Sequence, residues 1–197
     1  MREPENILSV AAHEPSLMGF IFYRESPRYV GDSFHVPATL SPCVKRVGVT
    51  VNQSLHQVKS LVNAHHLNFV QLHGNETVEE CKNLYQEGIS IIRAFSIDET
   101  MDFSITHDYQ PYVEYFLFDT KGKHRGGNGR RFDWKLLDRY RGHVPFLVSG
   151  GISVEHLTEI ERLEHPGFVG IDVNSGVESA PGQKDEEKVK SIVQFFK

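Results

Sequence analysis

Apolar runs punctuate the chain at fairly even intervals: 17–22, 44–51, 69–74, 89–95, 115–120, 146–151 and 168–173. They are short, rich in valine, isoleucine and phenylalanine, and bounded by turn-forming residues, which is how buried strands read. Most are apolar almost throughout rather than alternating, as strands covered on both faces should be. Amphipathic stretches lie between them, at 54–66, 77–88, 133–142 and 153–165. Asp133 and Ser153 stand at N-cap positions, and Gly88 and Gly142 where helices should stop. Strand and helix in strict alternation predict a parallel sheet with helical crossovers.

One more helix is predicted at 4–14, before any strand, with Pro4 in its first turn between Glu3 and Glu5. A closed (β/α)₈ barrel begins with a strand and has eight of them. The expected fold is therefore α/β, a TIM-type (β/α)₈ barrel of parallel strands whose first strand is missing from this chain. That leaves seven strands in a single barrel domain over 1–197. An open seven-stranded sheet is the alternative that the pattern leaves standing.

Composition narrows the function classes. A formal charge of −5 with scattered lysines and arginines gives no basic stripe for nucleic acid. No apolar run approaches the ~20 residues of a membrane helix, and the charged start MREPENILSV does not read as a signal peptide. Cys43 and Cys81 form neither a disulfide framework nor a metal spacing, which suits a reducing, cytoplasmic setting. The eleven histidines include the pair His65-His66 but no i,i+4 pair beside a carboxylate, so no zinc site is expected.

In parallel barrels the chemistry sits at the carboxyl ends of the strands. Here those ends carry Asn52, Gln71 and His73, Asp119, Ser149-Gly150-Gly151, and Asp172 with Asn174-Ser175-Gly176. The last two clusters occupy the seventh and eighth strand positions of a barrel entered one strand late, where phosphate is commonly held by loop amides. The stretch SGVESAPGQKD then offers a short extra turn. Plainer readings exist for each residue. Asp119 could cap a turn, His73 could tie down a loop, Arg28 could be a solvated loop arginine, and GGNG at 126–129 could be a simple connection. Their convergence on one barrel face favours a site.

The segments GFIFYRESPRYV, RVGVTVN, VQLHGNE, FDTKGKHRGGNGRRFDW, LVSGGI and GIDVNSGVESAPGQKD occur in an order and spacing that resembles the phosphoribosylanthranilate isomerases of tryptophan biosynthesis. The resemblance implies an Amadori rearrangement of a phosphorylated sugar-anthranilate, needing no metal and no organic cofactor. It implies Asp119 as the general acid and Arg28 as the partner of the anthranilate carboxylate. His73 and Asp172 would orient the substrate, and Gly150, Gly151, Ser175 and Gly176 would hold its phosphate. The family opens with a strand ending in a KICG-like motif whose cysteine is the general base. MREPEN matches the residues directly after that motif, so the base is expected to be absent, as from a start at an internal methionine. Cys43 precedes a strand on the opposite face, and Cys81 lies in a helix.

These residues support two hypotheses: an isomerase impaired in this form, and a non-catalytic barrel that binds phosphosugars or partners. A histidine-pathway isomerase is disfavoured, because those enzymes use two aspartates and show half-barrel similarity. Self-association through the exposed barrel edges is a further expectation.

Overall fold

The seven apolar runs form the seven strands of one parallel sheet. The computed structural model describes residues 1–120 and 132–197. The strands are β1 (Leu17–Ile21), β2 (Lys45–Thr50), β3 (Phe69–Leu72), β4 (Ile91–Ile97), β5 (Tyr115–Thr120), β6 (Phe146–Val148) and β7 (Phe168–Ile171). Each pairs in parallel with the next in chain order. The helices are α1 (Pro4–Ala11), α2 (Leu55–His65), α3 (Val78–Gln86), α4 (Leu157–Ile160) and α5 (Glu186–Phe195). No helix among the described residues is long and apolar enough to cross a membrane.

Side-chain alternation divides each strand between two cores. On β5, Phe116 and Phe118 point outward into an aromatic cluster with Phe103, Tyr140 and Phe146. Leu117 points inward to Val47, Ile92 and Ala94, as a period of two requires. β1 and β7, the two ends of the pairing order, line the same cavity as Ile92 of β4, so the sheet is curled. Among the described residues β1 and β7 do not pair with each other, and the curl is open between them.

Local chemistry explains the helix starts. Ser54 and Thr77 each form a capping box, with Gln57 and Glu80 reaching back, which satisfies two orphan backbone donors apiece. The stretches at 133–142 and 153–165 depart from expectation. The first is a 3₁₀ turn over Trp134–Arg139, and the second a 3₁₀ turn at Val154–His156 running into the four-residue α4. Tyr140 ends the first, because its buried hydroxyl donates to the Val144 carbonyl at 2.8 Å and turns the chain back toward β6. Runs this short gain little from helical cooperativity.

Three elements have no counterpart in the sequence reading. A 3₁₀ run covers Phe103–Tyr112, a hairpin joins β8 (Glu178–Ala180) to β9 (Gln183–Lys184), and α5 closes the chain. The extra turn foreseen in SGVESAPGQKD is there, at Ser175–Val177, just before that hairpin. The glycine cluster at 126–129 lies outside the described residues.

α1 is not a loose helix beside an open edge. The Asn6 side chain donates to the Lys184 carbonyl at 2.9 Å and accepts from the Lys184 amide at 2.8 Å. Ile7 and Val10 are buried in the core that includes Val189 and Ile192 of α5. Asn6→Ala strands both Lys184 backbone groups in a half-buried place, and should cost about 1–3 kcal/mol. Urea unfolding checks this. A loss below about 0.5 kcal/mol (the size of an ordinary surface change) would mean that α5 alone secures α1.

Candidate active site

The strand pleat places the polar residues. Inward positions alternate up each strand, so the last inward side chain, or the first one past the strand, stands at the carboxyl end. Gln71 does so on β3, Asp119 on β5, and Ser149 and Asp172 directly after β6 and β7. With His73 they line a cavity of about 550 Å³, within the range of small-molecule sites.

His73 Nε2 lies 3.2 Å from Asp119 Oδ2, both side chains being largely buried. The Gln71 amide nitrogen lies 2.9 Å from His73 Nδ1. An amide NH₂ can only donate, so Nδ1 accepts and Nε2 is the nitrogen that carries a proton on the side of Asp119. Ser149 Oγ donates to Asp172 Oδ2 at 3.3 Å. The Asp172 carboxyl is pushed above the usual carboxylate range, first by burial and then by the charge of Asp119, against the opposing pull of Lys184, His73 and Ser149.

The glycine loops are constrained as an anion cradle would be. Gly150 and Gly151 have φ of 98° and 66°, and a Cβ on Gly150 would come within 2.3 Å of Thr120 Oγ1. A Cβ on Gly176 would sit 1.9 Å from the Ile152 carbonyl oxygen. This backbone packing leaves no room for a side chain at either place, and it brings the two loops together.

Arg28, His73, Asp119, Gly150, Gly151, Asp172 and Ser175 all line the one cavity, and Gly176 lies just behind Ser175. Asn52 is different. Its side chain accepts from the Asn75 amide at 2.7 Å and tethers the loop after β3. Arg28 is bound by Glu178 through three contacts between 2.7 and 3.0 Å. Lys184 also lines the cavity and contacts Glu178 at 3.2 Å. Neither Glu178 nor Lys184 was expected from the sequence, although two opposite charges flanking a Pro-Gly turn were a readable sign of a hairpin. Cys43 is exposed and Cys81 buried. Burial pushes the Cys81 thiol up to about 12, and neither cysteine lines the cavity.

The model of the family described as N-(5'-phosphoribosyl)anthranilate (PRA) isomerase matches residues 1–195. The chain belongs to that family. Curated relatives named N-(5'-phosphoribosyl)anthranilate isomerase agree. That of Parabacteroides distasonis is 46% identical, the match covering 98% of this chain and 89% of the relative. That of Phocaeicola vulgatus is 40% identical over 100% of this chain and 95% of the relative. Among solved structures, the phosphoribosyl anthranilate isomerase of Thermotoga maritima superposes with a TM-score of 0.82 at 30% identity, covering all of this chain and 95% of that one. A family structure in complex with reduced 1-(o-carboxyphenylamino)-1-deoxyribulose 5-phosphate gives a TM-score of 0.80 at 29% identity, covering all of this chain and 94% of that one. These neighbours are TIM-type barrels, and the curled parallel sheet of this family member is of that class, not a flat open sheet.

The raised Asp172 carboxyl carries a stability signature. The folded state holds this proton more tightly than the unfolded chain, so the contribution is full below the ordinary value of 3.8. It is lost as pH rises through the higher folded value. Asp172→Asn removes the titration while keeping an acceptor for Ser149. The melting temperature of the variant should therefore gain on that of the parent as pH increases from about 4 to 7. A constant difference across that range would show that Asp172 ionises freely in the fold.

Proposed function

We propose that this chain isomerises N-(5'-phosphoribosyl)anthranilate to 1-(2-carboxyphenylamino)-1-deoxyribulose 5-phosphate in tryptophan biosynthesis, and that the cavity between Arg28 and Asp119 is its active site. The family match over 1–195 carries the reading. The same span supports treating the chain as one barrel domain. The proposed compartment is the cytoplasm, on the strength of the biosynthetic reaction and two free thiols.

The reaction opens the ribose ring to a Schiff base and then moves the C2 proton, giving an enamine that becomes the ketone. Opening needs a proton on the ring oxygen. Asp119 is the proposed acid. His73 Nε2 lies 3.2 Å from its Oδ2, which leaves Oδ1 to face the sugar. Arg28 is the proposed partner of the anthranilate carboxylate, His73 and Asp172 orient the sugar, and the amides around Gly150, Gly151, Ser175 and Gly176 receive the phosphate. A phosphate is well matched by close-approaching glycine backbone, because successive N–H groups can point at one oxygen cluster.

The second proton transfer needs a base at C2. In the resemblance that base is a thiolate on a strand ending in Cys-Gly, and neither Cys43 nor Cys81 reaches the cavity. The test is an isomerase assay on three forms: these 197 residues, the same residues preceded by such a strand, and that longer form carrying Asp119→Asn. The first should turn over about 10²–10⁴-fold more slowly than the second. The third should lose turnover while keeping affinity for the reduced product within about tenfold, since an acid acts mainly in the transition state. Equal rates for the first two would discard the thiolate. Isomerase activity missing from all forms would favour the non-catalytic barrel instead.

Among the described residues no strand lies beyond β1 or β7, and β1 is met there only by the bridge from Ile21 to Tyr29; such edges invite pairing with another chain. Concentration-dependent association in sedimentation velocity is the expected behaviour of the chain. A strict monomer at every concentration would show that the edges are sufficiently covered by α1 and the hairpin.

A further inference from the structure

Arg28 is held along one side by Glu178. Its Nε donates to both carboxylate oxygens, at 3.0 and 2.8 Å, and its Nη2 to Oε2 at 2.7 Å. A guanidinium carries five donors in a planar fork. With the Nε side occupied, the end-on edge formed by Nη1 and the second Nη2 hydrogen remains for another carboxylate, and Arg28 lines the cavity.

Glu178 is in turn fully engaged. Its Oε1 also accepts from the Gly182 amide at 3.1 Å and from Lys184 Nζ at 3.2 Å. Glu178 and Lys184 pair across the hairpin, and their side chains are only 5% and 9% exposed. Lys184 Nζ has two further acceptors, the Asn174 carbonyl at 2.9 Å and Asn174 Oδ1 at 2.7 Å. Three acceptors around one nitrogen call for three N–H bonds, so the lysine is an ammonium. The cluster thus reads cation, anion, cation, and carries one net positive charge.

Stability does not explain such a cluster. Replacing a buried ion triad by apolar residues is often neutral or stabilising. A lone Arg28–Glu178 pair would also be nearly neutral, and would attract a carboxylate weakly.

We propose that Glu178 and Lys184 are positioning residues for Arg28: the glutamate fixes the plane and open edge of the guanidinium, and the lysine restores the positive charge that the glutamate cancels. This rests on the reading of Arg28 as the carboxylate partner. Lys184 also grips Asn174, directly before Ser175 and Gly176. The hairpin therefore joins the carboxylate end of the cavity to its phosphate end.

The test is calorimetric titration of the 197-residue chain with two probes. One is reduced 1-(o-carboxyphenylamino)-1-deoxyribulose 5-phosphate, and the other is its analogue without the carboxyl group. The ratio of the two affinities reports on recognition of the carboxyl group. Arg28→Met should abolish the preference for the carboxylate probe. Glu178→Gln should reduce it by about tenfold to a hundredfold, the size of a lost charge-assisted contact. Lys184→Gln should reduce the preference and weaken both probes, through Asn174, whereas Lys184→Arg should restore the preference. Melting temperatures are measured on the same samples. If Glu178→Gln does not fold, the Lys184→Gln and Lys184→Arg pair decides by the same ratio. An unchanged preference in the folded Glu178 and Lys184 variants, with Arg28→Met still abolishing it, overturns this inference alone. An unaltered chain with no preference, or an Arg28→Met chain that keeps it, overturns the reading of Arg28 itself.

Discussion

A strand in a parallel sheet shows alternate side chains to opposite faces, and here both faces are covered. That constraint organises everything else. On the outer face, Phe116, Phe118 and Phe146 pack against Tyr140 and Phe103. On the inner face, Leu117 and Ile92 close the lower part of the curl, and two residues beyond Leu117 the same face delivers Asp119 to the cavity. A shift of one residue in the register of β5 would bury Asp119 among the aromatics and expose Phe118 to the cavity. The position of Asp119 is thus set by the packing of its neighbours, before its contact with His73 is made.

The same constraint leaves a difficulty at β1 and β7, whose outer edges have no strand partner among the described residues. The chain meets it with side chains and helices. Asn6 of α1, which precedes β1, grips both backbone groups of Lys184 in the hairpin that follows β7. His13 of the adjoining turn reaches Glu186 of α5 at 3.2 Å. Lys184, which Asn6 holds by its backbone, also braces Glu178 against Arg28 by its side chain. Structure and site share one element, and a change in the hairpin will be felt in both.

Much of this was legible in the sequence, for identifiable reasons. β5 and Asp119 could be read because a continuous apolar run ended in a carboxylate, and β6 with Gly150 because valine gave way to Ser-Gly-Gly. The two capping boxes at Ser54 and Thr77 mark their helices in the residue pattern alone. The turns at 134–139 and 154–160 could not be read as short, since their amphipathic pattern matches a longer helix and only the anchoring of Tyr140 on Val144 cuts the first one off. Phe103–Tyr112 lacks a period of 3.6 and contains Pro111, so it gave no helical signal. The hairpin, signalled only by its Pro-Gly turn and flanking charges, was missed for a different reason. Its strands are three and two residues long, and its order comes from Arg28 and Asn6, 150 and 178 residues away in the chain. α5 was overlooked although Asp185 caps it and Glu186 and Glu187 fill its first turn, which is as clear a start signal as that of α3.

The electrostatics of the cavity run against those of the whole molecule. The chain carries a formal charge of −5, yet under the proposed function a ligand with a carboxylate and a phosphate must be drawn into a cavity that already holds Asp119 and Asp172. Long-range attraction cannot do this, since charges beyond about 8 Å are largely screened at physiological salt. On that reading the work falls to short-range donors: the loop amides near Gly150 and Ser175 and, at the other end, the Arg28 guanidinium, whose compensating Glu178 is itself compensated by Lys184. Burial, and then the charge of Asp119, raise the Asp172 carboxyl. Lys184 stands where these demands intersect, close enough to act on Asp172, Glu178 and Asn174 at once. Burial lowers its own affinity for a proton, and Glu178 and Asp172 oppose that loss. A single ammonium held by three acceptors thus keeps one end of the cavity locally cationic in an acidic protein.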